Sequence, residues 1–524
     1  MPTDVAHPRR WLILPVLCLS LFIVVIDNTI VNVALPTLSR ELDASTSELQ
    51  WIVDAYSLVF ASLLLAMGSL GDRFGRKGSL QLGLVLFALT SVAAGAAQSA
   101  GQLIAARAAM GIGAALVFPA TLAILSNVFT DPTERAKAIG VWSSVTGLAV
   151  ALGPLTGGLL LEHFSWGSVF LVNVPIVAVA LILGRVLVPT SRDPHAGRFD
   201  AFGLVLSIVG VTLLIWTVIE APKLGWGSPA TLGAFAAAGV TIAVFVRWEL
   251  RRTDPMLDVQ VFRNLRFTAA SASVTIAFFA LFGFIFLITQ YFQFVRGYST
   301  LSAGVHTLPF AIGAGVTAPI AARLALRYGT KAIVAAGLGS MSVGFVVAST
   351  LDPSSNYWGP VVLSMLFVAC GLTLTTAPTT EAILGSLPRE KAGVGSAVND
   401  TTRELGGTLG VAVVGSVFSS TFGPKLLEAL RNLPVPADAL EAAQQSMAAA
   451  LAVAEQAPQD ARLTIADAAR GAFVDGMQAG TLVAAGAAAA GVILALAFLP
   501  ARPRPTLDIA TALVPTTVRR PRQR

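Results

Sequence analysis

Ionisable side chains inside long apolar segments are the residues of this sequence that are best suited to chemistry. A charge at membrane depth is costly unless it is paired or faces water, so such residues mark functional sites. The acids and bases found in such segments are Asp27, Asp54, Arg107, Glu381, Asp400, Arg403 and Glu404. A buried acid can take up a proton or, when ionised, hold a cation. Because the two ligands exclude each other, such an acid can exchange one for the other across a membrane.

Asp27 is the acid expected deepest in the membrane. It precedes Pro36, where the first apolar segment is expected to end, by nine residues. At about 1.5 Å of rise per residue, this spacing places Asp27 ~13 Å inside the membrane. Asp54 and Arg107 lie a few residues inside the outer ends of their own segments. We therefore expect both to share an outer vestibule with Asp27, which we interpret as a proton-coupling carboxylate.

Asp400, Arg403 and Glu404 form a second cluster, because residues three and four apart share one face of a helix. Two carboxylates one turn apart disfavour simultaneous ionisation in a low dielectric. The cluster predicts cation binding or proton transfer, with Arg403 adjusting the two acids. An ion pair that only holds the helix is the alternative. Glu381 lies near the end of its segment, and we expect it to be solvated.

The elements that position these residues follow from composition. The chain has 524 residues, of which 55% are hydrophobic and 12% are charged, whereas about a quarter are charged in a soluble domain. Apolar segments of about 20 residues span a bilayer. This reasoning predicts an all-α polytopic membrane protein with 14 transmembrane helices. The predicted spans are 11–35, 50–69, 79–97, 102–127, 138–161, 167–188, 201–220, 230–248, 267–292, 302–323, 331–350, 358–384, 396–420 and 474–499.

The distribution of Lys and Arg predicts the orientation. The side of the N-terminus carries 26 of these residues and the opposite side carries 7. Positive charge is retained in the cytoplasm, so we expect a multi-pass protein of the cell inner (cytoplasmic) membrane with both termini cytoplasmic. Because the basic residues separate apolar segments and do not form one face, they predict no nucleic-acid partner.

The predicted domains are an N-terminal six-helix bundle (1–188), a linker with two additional helices (189–266) and a C-terminal six-helix bundle (267–524). The last includes an outer segment, 423–472, and a cytoplasmic C-terminal tail. Leucines at helical spacing, interrupted by Pro434 and Pro436, predict two short amphipathic helices in the outer segment. A solvated alanine-rich spacer is the alternative.

Two glycine-rich stretches predict close packing and a tight turn. In the fifth span a proline that removes one backbone hydrogen bond is surrounded by glycines, which permit close helix approach. A loop after the second span combines a glycine turn with charges that can pair with helix ends. The residues of the fifth span are Gly147, Gly153, Pro154, Gly157 and Gly158, and those of the loop are Gly68, Gly71, Asp72, Arg73, Gly75 and Arg76.

Several function classes lack their signatures in this sequence. There is no phosphate-binding loop of the G-x-x-x-x-G-K-(S/T) type and no nucleophile elbow with its partners. Two cysteines and four histidines provide neither a disulfide framework nor a metal-ligand cluster. We therefore expect no enzyme, no cofactor and no metal site, and we expect an ion gradient, most naturally of protons, to supply the energy.

The motifs resemble those of the major facilitator superfamily. GSLGDRFGRK at 68–77 is similar to its cytoplasmic-loop signature, 103–115 resembles the fourth-helix signature built around Arg107, and 147–158 resembles the antiporter signature that ends in G-P-x-x-G-G. The run 27–36 is similar to a motif of the 14-helix drug:proton antiporter family, the EmrB/QacA-type multidrug exporters. The resemblance to the QacA-type members extends to 51–59, 163–176 and 254–262.

This resemblance implies a major facilitator fold, with two six-helix bundles plus two extra linker helices. It implies a monomer that exchanges protons for lipophilic, cationic small molecules such as quaternary ammonium compounds and dyes, in contact with membrane lipid. Asp27, Asp54, Asp400 and Glu404 fall on positions that are acidic in that family. Glu381 matches no such position.

One departure from the family concerns substrate charge. Position 314 is an alanine, where QacA-type members that handle dications have an acid. The departure predicts better export of monovalent than of divalent cations. Two other functions remain open from the sequence: export of an endogenous metabolite, antibiotic or lipid precursor, and a membrane sensor or scaffold that does not transport.

Overall fold

The computed structural model describes residues 8–192, 200–253, 255, 257–384, 386, 392–431, 433 and 435–500. The predicted polar stretch 189–200 and the predicted C-terminal tail therefore lie partly or wholly outside the described residues. Within them the regular secondary structure is helical, with no strand. The α-helices are α1 (Arg10–Glu41), α2 (Thr46–Phe74), α3 (Arg76–Gly95), α4 (Ala100–Val128), α5 (Pro132–His163), α6 (Ser168–Leu171), α7 (Asn173–Leu187), α8 (Ala201–Leu224), α9 (Pro229–Glu249), α10 (Leu265–Gln290), α11 (Thr300–His306), α12 (Leu308–Tyr328), α13 (Thr330–Ala348), α14 (Val362–Leu384), α15 (Ala392–Leu430), α16 (Ala437–Ala443), α17 (Met447–Gln456) and α18 (Gln459–Phe498).

The helices confirm the predicted all-α membrane class. In the described part of the chain, 12 helical segments are long and apolar enough to cross a membrane. A 13th is added when α2, bent by 53° between Leu64 and Ala66, counts as one span, and α5 contributes a shorter apolar helix at Leu148–His163. Each of the predicted spans coincides with a helix, but the total of 14 stays a prediction.

Two predicted boundaries are wrong. The first helix continues through Pro36 to Glu41, because proline removes one backbone hydrogen bond without preventing the helix from continuing beyond it. Asp27 is therefore ~21 Å from the end of α1, and not ~13 Å. The predicted outer segment is also shorter than expected, because α15 runs on to Leu430 and α18 begins at Gln459.

Between these two long helices lie α16 and α17, which confirm the two short helices expected in the outer segment. They are not a solvated spacer. Ala443 and Met447 are buried. The Thr46 N–H donates to the Gln445 carbonyl at 2.9 Å, and the Ser39 hydroxyl donates to Ser446 at 3.3 Å. The short helices therefore cover the end of α1 and the beginning of α2.

The helices form a first group, α1–α7, and a second group, α10–α18, with α8 and α9 beside them. We call the end of the bundle where α1 ends and α2 begins the closed end, and the opposite end the open end. At the closed end Gln50 Nε2 donates to the Ala412 carbonyl at 2.9 Å, and Gln293 Nε2 donates to the Val33 carbonyl at 2.8 Å. Among the described residues, the hydrogen bonds that join the two groups all lie at this end. Within the described ranges, hydrogen bonds therefore seal the bundle at the closed end.

The helix α8 packs against both groups at the closed end. Its residues Ile215, Val218 and Ile219 are buried against Leu58 of α2 and Ala412 of α15. A buried hydrogen bond, 2.7 Å long, joins the side chain of Ser416 to the carbonyl of Val218. The first of the two additional helices thus covers the seam between α2 and α15.

Candidate functional site

Asp27 and Arg107 form an ion pair at the middle of the first helix group. Arg107 Nη1 of α4 donates to Asp27 Oδ2 of α1. The side-chain amide of Asn173 in α7 donates to the other carboxylate oxygen, Oδ1, at 2.8 Å. All three side chains are 0% exposed. The two oxygens of Asp27 are thus held by one charged and one neutral donor in the absence of bulk water.

Arg107 has further partners that do not depend on Asp27. Its Nε donates to the carbonyl of Ile52 at 3.1 Å, and its guanidinium carbon lies 4.3 Å from the centre of the Tyr56 ring. The Tyr56 hydroxyl in turn donates to the Val24 carbonyl at 2.9 Å. A cation over an aromatic face is stabilised electrostatically. These contacts hold Arg107 in place in addition to its ion pair with Asp27.

Asp54 lies apart from this pair. It is 0% exposed, and neither of its carboxylate oxygens has a hydrogen-bond partner among the described residues. Gln50, one turn earlier on α2, is bonded to α15, so Asp54 lies on the side of α2 that faces the seam between the helix groups. The structure therefore brings Arg107 into contact with Asp27, as the predicted vestibule requires, but it does not bring Asp54 there.

The second acidic cluster lies on α15 and is only partly paired. Arg403 Nη1 is 3.9 Å from Asp400 Oδ1, the outer limit of an ion pair. Arg403 Nη2 donates to Thr380 of α14 at 3.0 Å, and the guanidinium lies 5.5 Å from the ring centre of Phe278 in α10. Arg403 therefore bridges three helices. It is not confined to a pair within α15, as the structural alternative assumed.

Glu404 is the second acid of this cluster, one turn after Asp400 on α15. No hydrogen bond or ion pair to its carboxylate occurs within the described ranges, and its side chain is half-buried. It lies within electrostatic range of Tyr56, which contacts Arg107. Glu381 is exposed, as expected for a solvated residue.

A cleft between the two helix groups lies close to Asp27 along α1. It is a narrow cleft of about 50 Å³ that is partly open to solvent. Helices α1, α5, α10, α12 and α14 contribute its walls. Residues that line it include Thr29, Asn32, Phe284, Thr289, Phe310 and Met365. An apolar wall with a few hydroxyl and amide groups suits the apolar part of an organic molecule.

The glycines of α5 pack tightly on two sides. A Cβ added at Gly153 would overlap the Thr29 hydroxyl of α1, and one at Gly157 would lie 2.8 Å from Ile30 Cγ1. A Cβ at Gly158 would lie 2.6 Å from the Thr300 carbonyl oxygen at the start of α11. The predicted close-packed seam thus exists, and it joins α5 both to its own group and to the other. Gly147 and Pro154 also lie within α5.

The loop between α2 and α3 ties three helices together at the open end. Gly75 has φ +122°, which strains any residue with a Cβ. Arg76 Nε donates to Asp72 Oδ1 at 2.6 Å, and the Arg76 amide donates to the Ser191 carbonyl at 2.9 Å. Arg73 lies over the ring of Phe74. The charge of Arg76 thus pairs with Asp72 of the same segment, whereas the contact with the neighbouring loop is made by the backbone of Arg76.

The remaining glycines of this loop lie at close contacts between elements. The nearest neighbour of a Cβ at Gly68 would be Pro119 of α4 at 3.4 Å, and that of a Cβ at Gly71 would be the Ser79 hydroxyl at 3.1 Å. The spacing of the glycines thus follows from the close approach of α2 to α3 and α4.

Sequence reasoning missed Asn173 and Tyr56. Both are uncharged, and the sequence search for site residues considered charged groups at membrane depth. The signal that could have found Asn173 is a strongly polar amide inside the apolar run 168–183, because such a group needs a hydrogen-bonding partner in the membrane.

Comparison with known proteins gives consistent results. The family model described as Major Facilitator Superfamily matches residues 17–411. "Multidrug efflux pump LfrA" of Mycolicibacterium smegmatis is 38% identical over 94% of this chain and 98% of its own. "Methyl viologen resistance protein SmvA" of Salmonella typhimurium is 37% identical over 89% of this chain and 93% of its own.

The fold is similar to that of a solved transporter. A bacterial homologue of the human lysosomal transporter Spinster, solved in an inward-facing and unoccupied conformation, superposes with a TM-score of 0.66. It is 19% identical, and the match covers 96% of this chain and 100% of that one. At this identity the likeness concerns the fold alone.

Proposed function

This chain belongs to the major facilitator superfamily, and from that premise we propose that it is a proton-coupled antiporter that exports lipophilic, cationic drugs across the cytoplasmic membrane. It is a multi-pass membrane transporter of the drug-efflux type and not an enzyme. Its substrates are organic small molecules such as quaternary ammonium compounds and dyes. The energy comes from the proton gradient, without a cofactor.

The observation that carries the proton coupling is the buried ion pair of Asp27 and Arg107. Both side chains are 0% exposed, and an acid in such a place is retained for function. Protonation of Asp27 removes the charge that Arg107 and Asn173 hold, so the packing of α1 against α4 and α7 depends on the protonation state. A proton entering from the outside can thereby drive a rearrangement of the first helix group.

Substrate binding is assigned to the cleft and to two acids of α15, Asp400 and Glu404, which belong to the same helix group as three of its wall helices. The aromatic and aliphatic walls contributed by Phe284, Phe310 and Met365 receive the rings of the cargo. Glu404, whose carboxylate lacks a partner among the described residues, and Asp400 attract its positive charge. Asp54, buried without a partner at the seam, is a further proton site in the outer half of α2.

The open end faces the cytoplasm in this proposal, and both termini lie there. The bias of 26 to 7 basic residues supports this orientation. The closed end is then the outer gate, sealed by the contacts of α5 with α11 and of α2 with α15. Two six-helix bundles, 1–188 and 267–524, rock about the cleft as a monomer, with the linker helices of 189–266 at the side.

The number of positive charges on the exported molecule is a separate part of the proposal. SmvA is named for resistance to methyl viologen, a compound with two positive charges. Ala314 of α12 is half-buried, three residues beyond Ala311 in the wall of the cleft. Because no carboxylate stands at position 314, we propose that monovalent cations are the better substrates of this chain.

Reconstitution into proteoliposomes tests the coupling. Vesicles that contain the purified protein and a trapped buffer are given a pH gradient, and accumulation of a fluorescent monovalent dye such as ethidium is followed. The unmodified protein should accumulate the dye inside the vesicles only while the pH gradient lasts. Asp27→Asn should abolish this gradient-driven transport at normal protein abundance, because an amide cannot release a proton. Unchanged gradient-driven accumulation by Asp27→Asn, or net accumulation of the dye by the parent without a gradient, would overturn the proposal.

A further inference from the structure

The amide of Asn173 is the feature from which we infer one more part of the coupling site. Its Nδ2 donates to Asp27 Oδ1 at 2.8 Å and lies 3.4 Å from the hydroxyl oxygen of Ser91 in α3. Its Oδ1 is buried and has no partner among the described residues. In the first helix group, therefore, a spare acceptor lies next to the acid that is proposed to take up a proton.

Protonation changes what Asp27 needs from its neighbours. The carboxylate is an acceptor at both oxygens, whereas the acid carries one O–H that must donate. Proton uptake forms that single O–H bond and involves no oxidation or leaving group. A buried donor without an acceptor is costly. The neighbours with charge or a titratable group are Arg107, Tyr56 and, at longer range, Glu404, and of these Arg107 can only donate.

Rotation of the Asn173 amide about its Cβ–Cγ bond meets this need. After a half-turn, Oδ1 occupies the place of Nδ2 and accepts from the Asp27 O–H. The Ser91 hydroxyl, which accepts from Nδ2 in the present arrangement, can rotate and donate to the same oxygen. Both protonation states of Asp27 then keep a hydrogen bond to Asn173, whereas the charge attraction between Asp27 and Arg107 is present only in the ionised state.

We propose that Asn173 is a positioning residue for proton coupling: its side-chain amide holds the ionised Asp27 as a donor and holds the protonated Asp27 as an acceptor. This inference rests on the proposed function. It assigns to α7 a direct part in the proton step, and it explains why an amide, and not an apolar side chain of similar size, is buried at this position.

The experiment separates the proton step from the rest of the transport cycle. Exchange of labelled dye for unlabelled dye at equal pH on both sides requires drug binding and reorientation but no proton release. Gradient-driven transport requires all of these steps. Asn173→Leu removes both the donor and the acceptor at similar size, and we expect it to lower gradient-driven transport about tenfold or more while exchange stays within about twofold of the parent.

A second variant provides a signature that packing alone does not produce. Asn173→Asp keeps the shape, and in its protonated form it can both donate and accept, as the amide does. Gradient-driven transport by Asn173→Asp should therefore be weak at alkaline pH and recover toward the parental rate in acid. Gln290→Leu is the matched control, because it removes a buried amide of α10 whose Nε2 donates within its own helix, to the Phe286 carbonyl at 2.8 Å.

The outcomes distinguish the two proposals. If the parent shows no gradient-driven transport, the proposed function fails. If the parent is coupled but Asn173→Leu loses exchange and gradient-driven transport to the same degree, or loses neither, Asn173 has only a packing role or none. An Asn173→Asp profile parallel to that of the parent at every pH would overturn the inference as well.

Discussion

Adding one methyl group at Gly158 should open the closed end. Gly158 lies on α5, and a Cβ there would lie 2.6 Å from the Thr300 carbonyl oxygen and 2.7 Å from Leu301 Cα. Both atoms are backbone atoms of the other helix group and cannot rotate aside as a flexible side chain can. In Gly158→Ala the two groups must therefore separate, or the backbone must deform.

The size of the effect follows from the overlap. Overpacking by a methyl group costs about 1 to 3 kcal/mol. The contact of Gly158 with α11 is made across the two groups, so this cost applies to the closed arrangement and is relieved when the groups part. The ratio of closed to open outer gates should consequently fall by about 5-fold to 150-fold. An equilibrium that favours the present arrangement by less than this factor would be reversed.

Distance measurements between spin labels can detect the shift. Cys18 and Cys370, the cysteines of the chain, are replaced by serine, and labels are attached at Glu41→Cys on α1 and Lys425→Cys on α15. Both positions are exposed near the closed end. Gly158→Ala should transfer population from the short distance to a longer one in nanodiscs.

Gly140→Ala is the matched control for this measurement. It lies on the same helix, it gains the same helix propensity, and its Cβ meets nothing within 4 Å. Its distance distribution should equal that of the parent. If Gly158→Ala gave the parental distribution too, at equal abundance, the close contact with α11 would not be what holds the outer gate shut.

Three further predictions concern other parts of the transporter. Gly153→Leu, which forces a side chain into Thr29 of α1, should block or uncouple export more than it lowers protein abundance. If efflux and abundance both matched those of the parent, the close contact of α5 with α1 would serve packing alone. Asp400→Asn and Glu404→Gln should each alter resistance to some drugs and not to others in a susceptibility panel, whereas equal loss for every drug with reduced protein would favour a structural ion pair. Monovalent dyes should be exported better than divalent biguanides, and Ala314→Asp should narrow that difference; equal resistance to both classes in the parent would show that another acid serves the second charge.

The membrane class could be predicted from sequence because it depends on local composition. Each predicted span coincides with a helix because a segment of about 20 apolar residues has no other way to satisfy its backbone in lipid. The ends of helices were predicted less well. Residues 423–430 and 459–472 are as polar as a solvent-exposed segment, so the sequence placed them outside the membrane spans. In the structure they nevertheless extend α15 and α18, because packing against neighbouring elements, such as that of α18 against α17, also decides where a helix ends.

The acids could be located by the same reasoning, whereas their partners could not. Asp27, Arg107, Asp400 and Glu404 stand out in the sequence because charge is rare at membrane depth. Arg107 pairs with Asp27, whereas Asp54 has no partner among the described residues. This difference depends on how α1, α2 and α4 are rotated about their axes, and hydropathy does not encode that rotation.

What the sequence indicated by itself is the all-α membrane class, the places of the helices along the chain and the positions of charge on them, because these depend on neighbours within one or two turns; the total of 14 spans and the orientation stay predictions. Only the tertiary structure decided that Asn173 of α7 completes the Asp27 site, that Arg403 binds Thr380 of α14, and that the bundle is sealed at one end. Hydrogen bonds between residues 146 positions apart arise from the packing of whole helices. Their geometry is fixed by the sum of many side-chain contacts and by no local pattern.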